Sequence, residues 1–170
     1  LLVDQYLSFA EFQAQHGMEL RAGCEPEMMW LKRGEDGKFA GGTTKPFAYH
    51  IEQFESLSPV IMRINDYARS MGLDMIQGDH EDAPGQLELN IAFDNVLRNA
   101  DRLTTYRQIC AQVAREFNLI ATFMTKPFVG VSANGCHHNV SLWSGGSDVV
   151  NTLRHDQLPG MEESFTYRKG

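Results

Sequence analysis

Hydrophobic and polar positions along this chain follow a helical period in some stretches and a strand period in others, and the changes of period mark out its elements. Residues 3–16 set Val3, Leu7, Ala10 and His16 near a helical period, and Gly17 follows as a stop. MELRAGCEPEMMWL, residues 18–31, reads as extended. The Gly-rich polar stretch GEDGKFAGGTTKPFA, residues 34–48, predicts a loop long enough to be a flap or lid. Ser58 and Pro59 supply the cap and first turn of a helix with apolar face Val60, Ile61, Ile64, Tyr67, Ala68 and Met71, which Gly72 ends. A strand to about Glu81, a Pro84-Gly85 turn and a strand over 86–93 predict a hairpin. Over 94–118, one helical stripe carries Val96, Ala100, Leu103, Tyr106, Cys110, Val113 and Phe117. LIATFM, residues 119–124, predicts a short buried strand, and CHHNVSLW, residues 136–143, an alternating one. From Ser144 onward the composition is that of a loop, and no internal repeat is present.

Composition narrows the class. A chain of 170 residues can bury roughly 70% of its unfolded surface, enough for one core, and one domain is the default count. The net charge of -7 comes without a Lys/Arg cluster, which argues against nucleic acid or an anionic membrane as the main partner. No apolar run approaches the ~18 residues of a membrane span, and no signal peptide is visible. Cys24, Cys110 and Cys136 form no CxxC, and their odd number fits a reducing cytoplasm. The opening Leu-Leu and the closing FTYRKG read as a piece cut from something longer.

Alternation then assigns faces. In QLELNI, Gln86, Glu88 and Asn90 share one side of a strand, opposite Leu87, Leu89 and Ile91. In CHHNVSLW, His137, Asn139 and Ser141 share a face, while His138, Val140 and Leu142 take the other. Glu25 and Glu27 share a face from which Cys24 points away, and Glu81 closes the strand before the turn. By itself such alternation is also what a half-solvated sheet produces. If the polar faces meet, however, four carboxylates and one imidazole converge, and like charges that close call for divalent cations. This donor set suits Mg²⁺ or Mn²⁺ better than Zn²⁺.

Five segments add a resemblance. EPEMMW, HEDAPGQLELN, FDNVLRNADRLTTYR, ATFMTKPFVGVSANGCHHNVSLW and LPGMEESFTYRKG, in order from about residue 23, resemble the catalytic domain of the glutamine synthetase family. The chain looks most similar to the divergent bacterial branch that includes ligases joining glutamate to small amines such as methylamine. The resemblance implies an α+β fold, an antiparallel sheet flanked by helices. It implies ATP-dependent joining of ammonia or a small amine to the γ-carboxylate of glutamate through γ-glutamyl phosphate, with Mg²⁺ or Mn²⁺. It also implies a cytoplasmic homo-oligomer of nitrogen metabolism with active sites between subunits.

Position by position, the resemblance assigns Glu27, Glu81 and Glu88 to the metal ion nearer the glutamate and the attacking amine. Glu25 and His137 match ligands of a second ion that bridges the phosphates, and Glu27 and His137 also border the substrate. Phe93 matches an aromatic position near the nucleotide, and Asn139 and Ser141 match positions that face ATP. SANGCH aligns with NGSGMH of typical members, whose first two residues bind glutamate, so Ser132 and Ala133 stand there. Asn139 replaces a usual His, and Ile76 a usual Glu.

The resemblance makes residues 1–170 the central part of the catalytic domain. A small N-terminal domain, a neighbour-supplied acid and the catalytic arginines are expected outside it, so no catalytic residue is assignable here and the isolated chain is expected to be inactive. Two readings follow: a ligase, or a protein that keeps the fold and binds nucleotide or a glutamate-like ligand without turnover. The five intact ligand positions favour the ligase.

Overall fold

The computed structural model describes residues 9–41, 48–145 and 147–148. Its elements are α1 (Phe9–His16), β1 (Glu19–Arg33), β2 (Phe39–Gly41), α2 (Ile51–Ser56), α3 (Ser58–Ser70), β3 (Met75–His80), β4 (Gln86–Ile91), β5 (Asp94–Asn95), α4 (Val96–Glu116), β6 (Ile120–Thr122), β7 (Cys136–Ser144) and β8 (Ser147–Asp148). The strands form a sheet in the order β3-β4-β1-β7-β8, and β2, β5 and β6 also pair with β1. The pairs β1–β2, β1–β4, β1–β6, β3–β4 and β7–β8 are antiparallel. The fold is thus α+β, an antiparallel sheet flanked by helices.

The described residues fall into two compact units, one spanning 23–139 and the other made of residues before 23 and after 139. In the larger unit, Met28 and Trp30 of β1 and Leu87, Leu89 and Ile91 of β4 turn one sheet face toward α3 and α4. The helices answer with Val60, Ile61, Ile64 and Ala68 of α3 and Tyr106, Ile109, Cys110 and Val113 of α4. Tyr106 lies edge-on to Phe123, with ring centroids 6.2 Å apart. In the smaller unit, the Arg21 guanidinium stacks 4.3 Å from the Trp143 ring centroid.

Both long helices end by the same device. Gly72 adopts φ +72°, and Leu73 N–H returns to the Ala68 carbonyl at 2.9 Å. Asn118 does the same at φ +54°, with Leu119 N–H donating to Ala114 at 2.8 Å. At its start, α4 is capped by Asn95, whose side chain accepts from Leu97 N–H at 3.0 Å.

Several expectations need correction. The predicted 34–48 loop contains β2, which pairs Phe39, Ala40 and Gly41 with Arg33, Lys32 and Leu31; residues 42–47 lie outside the described residues. Helix α2, which no periodicity announced, runs directly into α3. Buried Leu57 therefore occupies the α3 cap position, no side chain caps the helix, and Ser58 is already helical. Met71 is 60% exposed because it follows the last turn of α3.

On α4 the buried face is Asn99, Tyr106, Ile109, Cys110, Val113 and Ala114. Ala100 and Phe117 fall off it. Asn99 is tolerated inside because its amide donates to Cys24 Sγ at 3.1 Å. Strand β6 is not buried throughout: Leu119, Ala121 and Phe123 pack on the core while Ile120 and Met124 point away. A short strand, β8, occupies a stretch expected to be loop. Val3, Leu7 and the segment LPGMEESFTYRKG lie outside the described residues.

Candidate metal and substrate site

The sheet face away from the core helices collects the carboxylates. Antiparallel register sets Glu27 opposite Glu88, Met29 opposite Gln86, and Asp79 opposite Glu88. A solvated polar face would leave these side chains wet, yet Glu27, Glu88, Asn90 and Gln86 are only 9%, 8%, 6% and 1% exposed. Every residue of β4 is buried, on both faces. On the carboxylate side Met29, Leu31 and Ala83 pack with Phe128 and Val131 in a second apolar cluster. Burial of a polar row calls for partners, and each of the four side chains has at least one.

Glu25, Glu88 and His137 each offer a ligand atom, and all three atoms lie within 4.8 Å of one another. His137 Nδ1 is 3.6 Å from Glu25 Oε2 and 4.0 Å from Glu27 Oε1. Glu27 Oε2 accepts from Gln86 Nε2 at 2.9 Å and from Gly135 N–H at 3.0 Å. Gly135 sits so close that a Cβ there would come within 2.8 Å of Glu27 Oε1 and 3.2 Å of His137 Nε2. The absence of a side chain at Gly135 leaves room for those two groups.

Charge crowding marks the same place. Burial first, and then the neighbouring Glu27, Glu88, Asp79 and Asp82 carboxylates, push Glu81 up to about 7. Burial also raises Glu88, against a hydrogen bond from Asn90 that lowers it, and Glu25, Glu27 and Asp79 add to the rise. The donor set therefore fits a hard divalent cation: carboxylate oxygens, one imidazole, excess negative charge and a spacing that one ion can bridge. A cavity of about 320 Å³ adjoins Glu27, lined also by Leu103, Arg107, Thr125 and Asn134.

The other sequence-predicted residues distribute unevenly. Asn139 lies beside the cluster, where its Nδ2 donates to Glu25 Oε1 at 2.8 Å. Ser132 donates to Asp82, and the Ala133 carbonyl accepts from Gln86 Nε2 at 3.0 Å. Phe93 is 49% exposed just after β4, and a Cβ on Gly23 would touch its Cβ at 3.5 Å. Ser141 belongs to the smaller unit, where its hydroxyl accepts from Trp143 Nε1 at 2.8 Å.

Four polar residues escaped the assignment by sequence: Gln86, Asn90, Asn134 and Asp79. The alternation that singled out Glu88 puts Gln86 and Asn90 on its face, so that signal was present for two of them. Asn134 is recognisable only in three dimensions. Its Nδ2 donates to the Thr122 and Met124 carbonyls at 3.1 and 2.9 Å, which pins the loop before β7. On the opposite face, Cys24 Sγ meets His138 Nδ1 at 3.3 Å, so odd and even positions of β1 and β7 do separate as alternation requires.

Comparison with known proteins bears on the family of the chain. Residues 8–165 match the family model described as glutamine synthetase, catalytic domain. A glutamine synthetase of Rhizobium meliloti (strain 1021) is 36% identical over 140 residues, covering 80% of this chain and 32% of that protein. A glutamate–methylamine ligase of Methyloversatilis universalis is 35% identical over 133 residues, covering 76% of this chain and 30% of that protein. The chain thus spans about a third of the length of the curated relatives it matches. Among solved structures, one described as "GmaS/ADP complex-Conformation 1" aligns with a TM-score of 0.73 at 32% identity, covering 82% of this chain and 33% of that one. From the family match over most of its length, the chain belongs to the glutamine synthetase family, as part of its catalytic domain.

Proposed function

We propose that the protein carrying this chain joins ammonia or a small amine to the γ-carboxylate of glutamate, using ATP and passing through γ-glutamyl phosphate. The observation that carries this reading is the convergence of Glu25, Glu88 and exposed His137, with Glu88 buried, in a chain of this family. In this reading Glu25, Glu27, Glu81, Glu88 and His137 hold Mg²⁺ or Mn²⁺. Such ions, when bound, neutralise charge on the transferring phosphoryl group.

The chain's own residues do the rest of the local work. Gly135 leaves room for Glu27 and His137, and its N–H holds one oxygen of Glu27. Ser132 and Ala133 border the glutamate in this reading, on a loop held by Asn134 and Gln86. Phe93, Asn139 and Ser141 stand at the positions that the resemblance assigns to the nucleotide. The remaining parts of the centre, including the cationic groups that position glutamate, are proposed to come from outside this chain. The whole is proposed to work as a cytoplasmic homo-oligomer.

The departures at Ser132, Ala133 and Asn139 support an amine site that admits a methyl group. One methylene-sized group is worth only about 1–3 kcal/mol of discrimination, so both amines are expected to react. Phosphate release from ATP by the full-length protein, with glutamate and either amine, tests the proposal. Comparable kcat/KM for ammonia and methylamine supports it. A large preference for ammonia removes the methylamine reading, and no glutamate-dependent turnover with either amine removes the ligase.

A further inference from the structure

Three carboxylates of the cluster each receive a hydrogen bond from a side-chain amide, and the three amides are different residues. Gln86 Nε2 donates to Glu27 Oε2 at 2.9 Å, Asn90 Nδ2 to Glu88 Oε1 at 2.8 Å, and Asn139 Nδ2 to Glu25 Oε1 at 2.8 Å. The bonds follow the sheet: Gln86 reaches from β4 across to β1, Asn139 reaches from β7 to β1, and Asn90 serves Glu88 two residues away on β4.

We propose that Gln86, Asn90 and Asn139 are positioning residues for a divalent cation, each holding one oxygen of its carboxylate so that the other is presented to the ion. This rests on the reading that the carboxylate face binds such a cation. Two of the remaining oxygens already approach the same imidazole nitrogen, since Glu25 Oε2 and Glu27 Oε1 lie 3.6 and 4.0 Å from His137 Nδ1.

The residue type matters as much as its place. An Arg or Lys would hold a carboxylate just as firmly but would carry a positive charge that competes with the ion for it. A carboxamide donates without charge and does not titrate, so it orients the ligand and leaves the negative field in place for the cation. Asn90 shows that holding Glu88 has a cost. Its Oδ1 is buried without a hydrogen-bond partner among the described residues, while its Nδ2 is committed to the carboxylate. Gln86 is committed still further. Its Nε2 is shared among Glu27, Asn134 Oδ1 and the Ala133 carbonyl, and its Oε1 accepts from Ala83 N–H, which ties the ligand to the two adjoining loops.

Asn139 gives the clean test because it is exposed and its loss leaves the core intact. Mn²⁺ affinity of the full-length protein is read from the electron paramagnetic resonance of free Mn²⁺, beside the melting temperature. Partners of metal ligands are typically worth roughly 10–100-fold in affinity, and Asn139→Ala is expected to lose about 10-fold with unchanged melting. Combined with Glu25→Ala, the same substitution is expected to have no further effect, because its only route to the ion is through Glu25. Unchanged affinity in Asn139→Ala, or an equal loss with and without Glu25, overturns the proposal. If the unsubstituted protein binds no Mn²⁺, the cation reading itself fails, and the proposal falls with it by a different observation.

Discussion

Glu27 on β1 and Glu88 on β4 are direct cross-strand partners, and each is less than a tenth exposed. Like charges so placed destabilise an antiparallel pair, and burial aggravates the repulsion. Glu88→Gln removes one charge at constant shape. It should stabilise the cation-free protein by about 1 kcal/mol while weakening Mn²⁺ by at least about 10-fold. Melting without cation and an Mn²⁺ titration read the two effects, and a fall in melting with unchanged Mn²⁺ affinity would deny that the charge is kept for a ligand.

His137 separates binding from folding. Its side chain is 68% exposed and outside the core, so His137→Ala should leave stability within about 0.5 kcal/mol. Mn²⁺ affinity and ligase turnover should both drop sharply. Activity near the parental level would exclude His137 as a ligand.

At Gly135 the expected effect is steric. A methyl group there would press on Glu27 Oε1 at 2.8 Å and on the His137 ring at 3.2 Å, and both must move. Gly135→Ala is therefore expected to weaken Mn²⁺ roughly as much as loss of a partner of the ligands does, about 10-fold or more. The titration that checks Glu88→Gln serves here too, and parental affinity would show that the cradle is slack.

Acid should act at the α3–α4 seam. Hydrogen bonds from Tyr67, Arg63 and Gln112, at 2.6, 2.8 and 3.0 Å, hold Glu116 well below its ordinary 4.5, down to about 2. A depressed folded pKa contributes stability above pH 4.5, which is lost as the pH falls from there toward about 2. Glu116→Gln should therefore melt below the parent at neutral pH, and the two should converge in acid. The groups lie at the surface, so added salt should narrow the difference. Melting curves across this range decide it.

Core packing supplies a control. Ile64 is fully buried between α3 and the sheet, so Ile64→Ala should cost about 2–5 kcal/mol in chemical denaturation. It should leave Mn²⁺ affinity per folded molecule unchanged, since the site lies on the other sheet face.

How much was legible beforehand depends on the range of the interaction. The β3–β4 hairpin, most of α3 and α4, and the faces of Glu25, Glu27, Glu88 and His137 follow from spacing, because periodicity is a local property of backbone geometry. The α3 cap falls on Leu57 rather than Ser58 because Leu57 packs into the core, a tertiary contact that spacing does not show. Asn99 broke the apolar stripe for a similar reason: its partner, Cys24, is distant in sequence.

The sequence by itself determined that carboxylates and an imidazole occur at strand spacing on polar faces, and its motifs carried the family. Tertiary structure alone decided that Glu27 and Glu88 are buried rather than solvated, that β1 sets Glu27 against Glu88, and that Glu25, Glu27 and Glu88 each meet a particular amide. The physical reason is register. Alternation tells which side of its own strand a residue takes, but which residue stands opposite, and whether water reaches it, depends on strands and loops brought together from far along the chain.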